Sequence, residues 1–263
     1  MRYFLADFKR CFMSKWFLLS VIGIAFTYYF SNTKNIHGSL AGMQNVAIID
    51  VFLENIVWGF FSEIIIVLSA IPFAMSFCED YNNGFIKNLV MREGIKKYSI
   101  SKSVTCFLGS FIAITLGQVL LMIILSTFMK IGSEESSAVM LFKTWGSFKE
   151  LLFQGKYLAY VLIFNMNFAL VASIFSLVGL YSTTYIKNKF FAITSPMIVA
   201  FTIYQIATAL NAPPHFRLKN FMATSYEIGP DWMNEGYLLL VVITASLIIG
   251  YLFYKGVKRS VEG

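Results

Sequence analysis

The chain has 263 residues, of which 57% are apolar and 13% charged, against roughly 25% charged in an average soluble chain. Its 21 basic and 14 acidic side chains are too few to cover a globule of this length, which excludes a soluble enzyme and a nucleic-acid binder. With 27 Phe and a mean hydropathy of +0.68, the composition predicts an all-α polytopic membrane protein in a single transmembrane domain.

Residues 1–15 set Tyr3, Phe4, Phe8 and Phe12 beside Arg2, Lys9 and Arg10, a segment suited to lie in the headgroup layer with rings toward lipid and cations toward phosphates. A plain extended anchor fits the same residues. A crossing needs about 20 mostly apolar residues. The first apolar run, about 16–30, is short for that, and Cys11–Met13 lengthen it if Lys15 snorkels. The second, about 56–77, carries Glu63; a carboxylate within a span is costly and is by default a functional candidate.

The loop over 78–102 follows. Phe85, Ile86, Leu89 and Val90 recur at three- and four-residue spacing beside Lys87, Asn88 and Arg92, which predicts a short amphipathic helix. Asn82 or Asn83 can cap it and Gly94 can end it. Such a helix lies on the membrane surface or docks into a groove on a cytosolic partner; an ordinary basic interfacial loop has the same periodicity.

The third run, about 104–128, has Gly109, Ala113 and Gly117 on one stripe, which lets another helix approach closely. The fourth and fifth, about 157–180 and 190–210, flank Lys187 and Lys189, and Pro196 should kink the fifth or leave carbonyls free. The sixth spans about 237–254. Outer loops over 129–156 and 211–236 are polar, and Pro213-Pro214 and Gly229-Pro230 interrupt any long helix in the second.

At 1.5 Å per residue, Glu63, Gln118, Asn165, Asn167 and Gln205 all fall about 20–23 Å from the inner ends of their spans. Two readings fit this polar layer. The amides can serve as interhelical hydrogen bonds, each worth about 0.6 kcal/mol. Alternatively, Glu63 with Tyr204 and Gln205 belongs to a polar site on a path across the membrane.

The cations fix the orientation. With both termini inside, the inner segments hold 14 Lys and Arg and the outer loops 7, while acids such as Asp50, Glu54, Glu227, Asp231 and Glu235 collect outside. Most of the net charge of +7 is therefore topology. Cys11, Cys78 and Cys106 fall on the inner side and predict no disulfide framework. The scattered cysteines, with His37 and His215 in outer loops, give no metal-ligand spacing. No G-x-x-x-x-G-K-[ST], H-E-x-x-H or G-x-S-x-G occurs, so the chain has no catalytic constellation and no phosphate loop.

Six spans with both ends inside, a basic amphipathic N-terminal segment, and a loop with Glu79, Gly84, an apolar helix, Arg92, Tyr98, Ser101 and Lys102 resemble the ABC-2 type permease subunits of ABC exporters. The resemblance implies that the helix over 85–93, with Phe85, Ile86, Leu89, Val90 and Arg92, seats on a separate ATPase. It further implies two ATPase copies that bind ATP and Mg, a second permease (identical or a sister), a bacterial cytoplasmic membrane, and a translocation path between spans 2 and 5 of the paired permeases. The chain itself would bind no cofactor. Its cargo class would be an amphipathic peptide, a drug or a lipid-like molecule. A stand-alone secondary transporter or channel is one rival, and would call for more intramembrane charge or an inverted repeat; a non-transporting scaffold or immunity protein is the other.

Overall fold

A computed structural model describes residues 2–40, 46–58, 61–223, 225–226 and 228–262. All of its regular structure is helical. Helix α1 (Arg2–Phe12) and α2 (Lys15–Ser31) meet at a bend of 48°. Ser14 makes that bend: its hydroxyl accepts from the Phe17 amide and donates to the Cys11 carbonyl, ending one helix and capping the next. Cys11–Met13 therefore do not lengthen the first crossing. They close the helix before it.

Then come α3 (Thr33–Leu40), α4 (Ile48–Trp58), α5 (Phe61–Ala70), α6 (Ser76–Asn82) and α7 (Ile86–Glu93). The span expected over 56–77 is not one helix. It comprises the end of α4, all of α5, a turn over Ile71–Met75 that contains Pro72, and the start of α6. Residues 59–60 of that span lie outside the described residues, as does Glu227.

The rest comprises α8 (Ile95–Ser126), α9 (Ser137–Trp145), α10 (Lys149–Phe153), α11 (Tyr157–Ser182), α12 (Lys189–Ala209), a 3-10 turn (Pro214–Phe216), α13 (Leu218–Met222) and α14 (Asp231–Glu262). Among the described residues four helices, α8, α11, α12 and α14, are long and apolar enough to cross a membrane, and α1 with α2 makes up to five. The chain is a multi-pass membrane protein. Helix α8 begins nine residues before the expected span, so Tyr98 and Lys102 stand on its first turns and not in a loop. At 32 residues it is about 48 Å long, more than the roughly 30 Å hydrocarbon layer.

Helix α11 is the most enclosed, packing against α5, α8, α12 and α14, whereas α12 and α14 leave apolar faces open. The glycine stripe of α8 is where the first two helices lie. A methyl added at Gly117 would stand 2.9 Å from Ile24 and the Val21 carbonyl, and one at Gly109 would stand 2.5 Å from Cys11 Sγ. Helix α12 runs through Pro196, whose ring packs on Gly179. Among the described residues buried apolar side chains form two clusters. One gathers Ile24, Tyr28, Phe52, Leu121, Phe142 and Phe164 toward the expected outer side. The other gathers Cys11, Phe73, Phe77, Ile86, Val90, Tyr98 and Phe253 toward the expected inner side.

Candidate functional site

The inner cluster encloses a chain of charges of alternating sign. Lys102 Nζ lies 3.0 Å from Asp7 Oδ1 and 2.8 Å from Asp80 Oδ2. Arg10 follows, with one nitrogen 2.7 Å from Asp80 and another 2.6 Å from Glu79. Lys189 closes the row, 2.9 Å from the second Glu79 oxygen. Three acids thus meet three bases, and the row runs from Lys102, fully buried, to Lys189, half exposed. Its members come from α1, α6, α8 and the first residue of α12.

Hydrogen bonds complete it. Tyr98 donates its hydroxyl to Asp80 at 2.9 Å, and Ser101 donates to Asp7 at 2.7 Å. The Lys102 ammonium also faces the rings of Phe73 and Tyr98. A buried charge is tolerable only when paired and hydrogen-bonded, which every member here satisfies. Burial by itself pushes the Asp80 carboxyl up, but the charge of Lys102 and the hydrogen bonds from Lys102 and Arg10 hold it below the usual carboxylate range. Glu79 is held down in the same way, burial being outweighed by Lys189 and Arg10.

Glu79, Tyr98 and Lys102, singled out in the sequence, do converge here. Their centre is Asp80, which sequence reasoning passed over in favour of its neighbour Glu79. Asp7 was missed too, though its place on α1 one turn before Arg10 and Cys11 put it on the inward face. Arg10 does not meet headgroups as expected; two carboxylates hold it against α6. Tyr3 does not face lipid freely either, since its ring lies 6.1 Å from that of Tyr98.

Helix α7 stands beside this row, in the expected place. Gly84 and Gly94 bracket it with φ of 72° and 81°, conformations open to glycine, and Gly94 ends it as expected. Asn82 and Asn83 do not cap it. Asn83 closes α6, and Asn82 donates to the Lys187 carbonyl, which ties the loop to the segment before α12. The anticipated apolar face is divided. Ile86 and Val90 are buried in the inner cluster and Leu89 packs at its edge, so they serve the fold. Phe85, Met91 and Arg92 project outward, with Met91 77% exposed.

The polar layer does not assemble. Gln118 donates to the Tyr28 hydroxyl at 2.9 Å, and Asn167 donates to Glu235 at 3.0 Å. Asn165 is buried, its carbonyl oxygen without a hydrogen bond. Glu63, half-buried, accepts from Ser62. Tyr204 lies under the Lys219 ammonium, and Gln205 is exposed on α12. Among the described residues no hydrogen bond joins any two of these six. Equal depth along separate helices did not translate into contact, because each side chain points where its own helix turns it.

Among the described residues no group of three His, Cys, Asp or Glu could hold a metal ion. Comparison with protein families, with curated proteins and with solved structures gave no match.

Proposed function

We propose that this chain is the permease subunit of an ATP-driven exporter of the ABC-2 type, in a bacterial cytoplasmic membrane. It would pair with a second permease and two copies of an ATPase that binds ATP and Mg. The finer architecture we assign is six crossings with both termini inside, α1 in the interface, and the broken segment over about 56–77 supplying the second. The observation that carries the reading is the division of α7: an inner face buried against α6 and α8, and an outer face of Phe85, Lys87, Asn88, Met91 and Arg92 left to solvent. An ordinary interfacial loop has no need to anchor one face so firmly.

In this reading the ATPase seats on the outer face of α7. Closure of the ATPases pushes the helix, Ile86 and Val90 pass the displacement to Phe77 and Tyr98, and the charge row makes α1, α6, α8 and the start of α12 move together. ATP then acts by favouring the outward-facing state over the inward-facing one. Glu63, Tyr204 and Gln205 are assigned to the cargo path, where exposed Gln205 on thinly covered α12 would meet the cargo, an amphipathic peptide, drug or lipid-like molecule. Unchanged transport in Glu63→Gln and Gln205→Ala would remove that assignment.

The test is tagged purification in mild detergent with mass spectrometry of what co-elutes, repeated with Met91→Asp and Arg92→Glu. A stoichiometric ATPase lost in both variants is the expected result. The chain alone, under conditions that preserve known complexes, would overturn the proposal and favour a stand-alone transporter or a scaffold.

A further inference from the structure

Helix α14 has 32 residues, is about 48 Å long and outruns the roughly 30 Å hydrocarbon layer. Its apolar stretch, residues 237–254, covers about 27 Å, so Lys255, Lys258 and Arg259 stand just past it, at headgroup level. They continue one exposed stripe: Ile243, Leu247 and Tyr251 precede Lys255 and Arg259 at four-residue steps, and all five are exposed. Side chains on a helix lean toward its N-terminus, here toward the bilayer, and the Lys255 ammonium accordingly lies 4.8 Å from the Tyr251 ring centre. Arg259 is held as well. Gly256 lets α14 press on Thr184, where a side chain would clash, and the Arg259 guanidinium sits 4.5 Å from the centre of the Tyr185 ring, three residues past the end of α11. The Tyr181 and Tyr185 hydroxyls share a hydrogen bond of 2.7 Å, which steadies that ring.

We propose that this stripe binds one anionic phospholipid, its phosphate on Arg259 and Lys255 and an acyl chain along Tyr251, Leu247 and Ile243. Charge selects the headgroup. Among the described residues neither Lys255 nor Arg259 forms a salt bridge, and Lys258 meets only Glu262, at 3.8 Å. Exposed Lys96 and Lys97 on the first turn of α8 add to the positive charge at the same end. The charge row is neutral in itself and Glu93 faces Arg92, so neither offsets the patch. A guanidinium stacked on a ring keeps N–H groups at its edge for a phosphate. Continuity selects a lipid over a soluble anion or an acidic protein, because only a lipid meets the apolar stripe and the cations at once. Orientation in the membrane needs only an excess of cations on one side. It gives no reason for two of them to be held on rings at the end of an exposed apolar stripe. The proposal rests on the membrane placement of the chain and not on the exporter reading.

The experiment is native mass spectrometry of the full chain in detergent, offered phosphatidylglycerol, phosphatidylethanolamine and phosphatidylcholine in equal amounts. One phosphatidylglycerol per chain is expected, preferred about tenfold over the others. Arg259→Gln and Lys255→Gln should each lower its retention about fivefold, the worth of one cation at an anionic surface, whereas Lys255→Arg should keep it. Lys15→Gln removes an exposed cation at the same end, on α2, and should change nothing. All three positions are exposed, so unfolding temperatures should hold and loss of lipid is not loss of fold. Equal retention of the three lipids, or an equal loss in Lys15→Gln, would overturn the proposal in favour of general surface charge. Displacement of the lipid by soluble glycerophosphoglycerol at equal concentration would overturn it by making the ligand a free solute. So would a soluble acidic protein that co-elutes and is lost in Arg259→Gln while lipid retention stands.

Discussion

Lys102 and Asp80 lie 2.8 Å apart with the lysine side chain wholly out of solvent, and the pair binds the first turns of α8 to α6. Asp7 supports the same ammonium from α1 at 3.0 Å. Removing one partner of a buried pair is costly because the other charge is left without compensation. Lys102→Met should therefore lower stability by about 3–5 kcal/mol. The combination with Asp7→Asn should recover part of that loss, since Asp80 keeps Arg10. Unfolding temperatures in one detergent measure both, and an unchanged value for the single variant would contradict the role given to the row.

The same row sets an acid limit. Asp80 and Glu79 both have depressed carboxyls in the folded protein. A carboxylate of that kind contributes stability above its unfolded value, near 4, and the contribution is lost as pH falls through the folded value. Stability should be flat from neutral pH down to about 5, then decline steeply below about 4. Asp80→Asn should flatten that acid decline.

Close helix packing makes two glycines respond in opposite directions. A methyl at Gly179 would stand 2.5 Å from the Ala192 carbonyl oxygen, which a backbone cannot yield cheaply. Gly179→Ala should cost about 1–3 kcal/mol by overpacking. Gly236, exposed on α14, faces open space, so Gly236→Ala should be neutral or gain up to about 1 kcal/mol through helix propensity. Equal thermal shifts for the two would show that α11 and α12 are less tightly packed than described.

Gly94 stands at φ 81° and ψ 146°, a region that side chains avoid, at the junction of α7 and α8. Gly94→Ala should cost about 1–3 kcal/mol and tilt α7 relative to α8. Under the exporter reading, ATPase co-purification should fall further than thermal stability does, whereas Lys87→Ala, on an exposed site, should leave stability within about 0.5 kcal/mol. Co-purification and melting measured on the same preparations separate the two effects.

Much of this was legible in the residues. Apolar runs of sufficient length marked the helices now seen as α8, α11, α12 and α14, and a shorter run marked α2, because hydrocarbon forces a backbone to satisfy its hydrogen bonds within a helix. The period over 85–90 and the glycine at 94 marked α7, since local patterning and a helix-ending glycine are properties of a short segment. The stripe at Gly109, Ala113 and Gly117 announced close packing for a similar reason, though not which helix would come.

Tertiary structure decided what depended on distant partners. The run over 56–77 is apolar enough for a span, yet Pro72 and the packing of α5 against α2, α11 and α12 divide it. Composition counts residues and does not see where a chain must turn. Arg10 looked like a headgroup cation until α6 brought Glu79 and Asp80 within reach, 69 and 70 positions away. Gln118, Asn167 and Glu63, expected at one depth, find separate partners, because counting along one helix gives neither the break that divides the Glu63 segment nor the rotation and tilt that contact requires. Sequence alone determined that the chain belongs in a membrane; only packing determined which of its few charges meet.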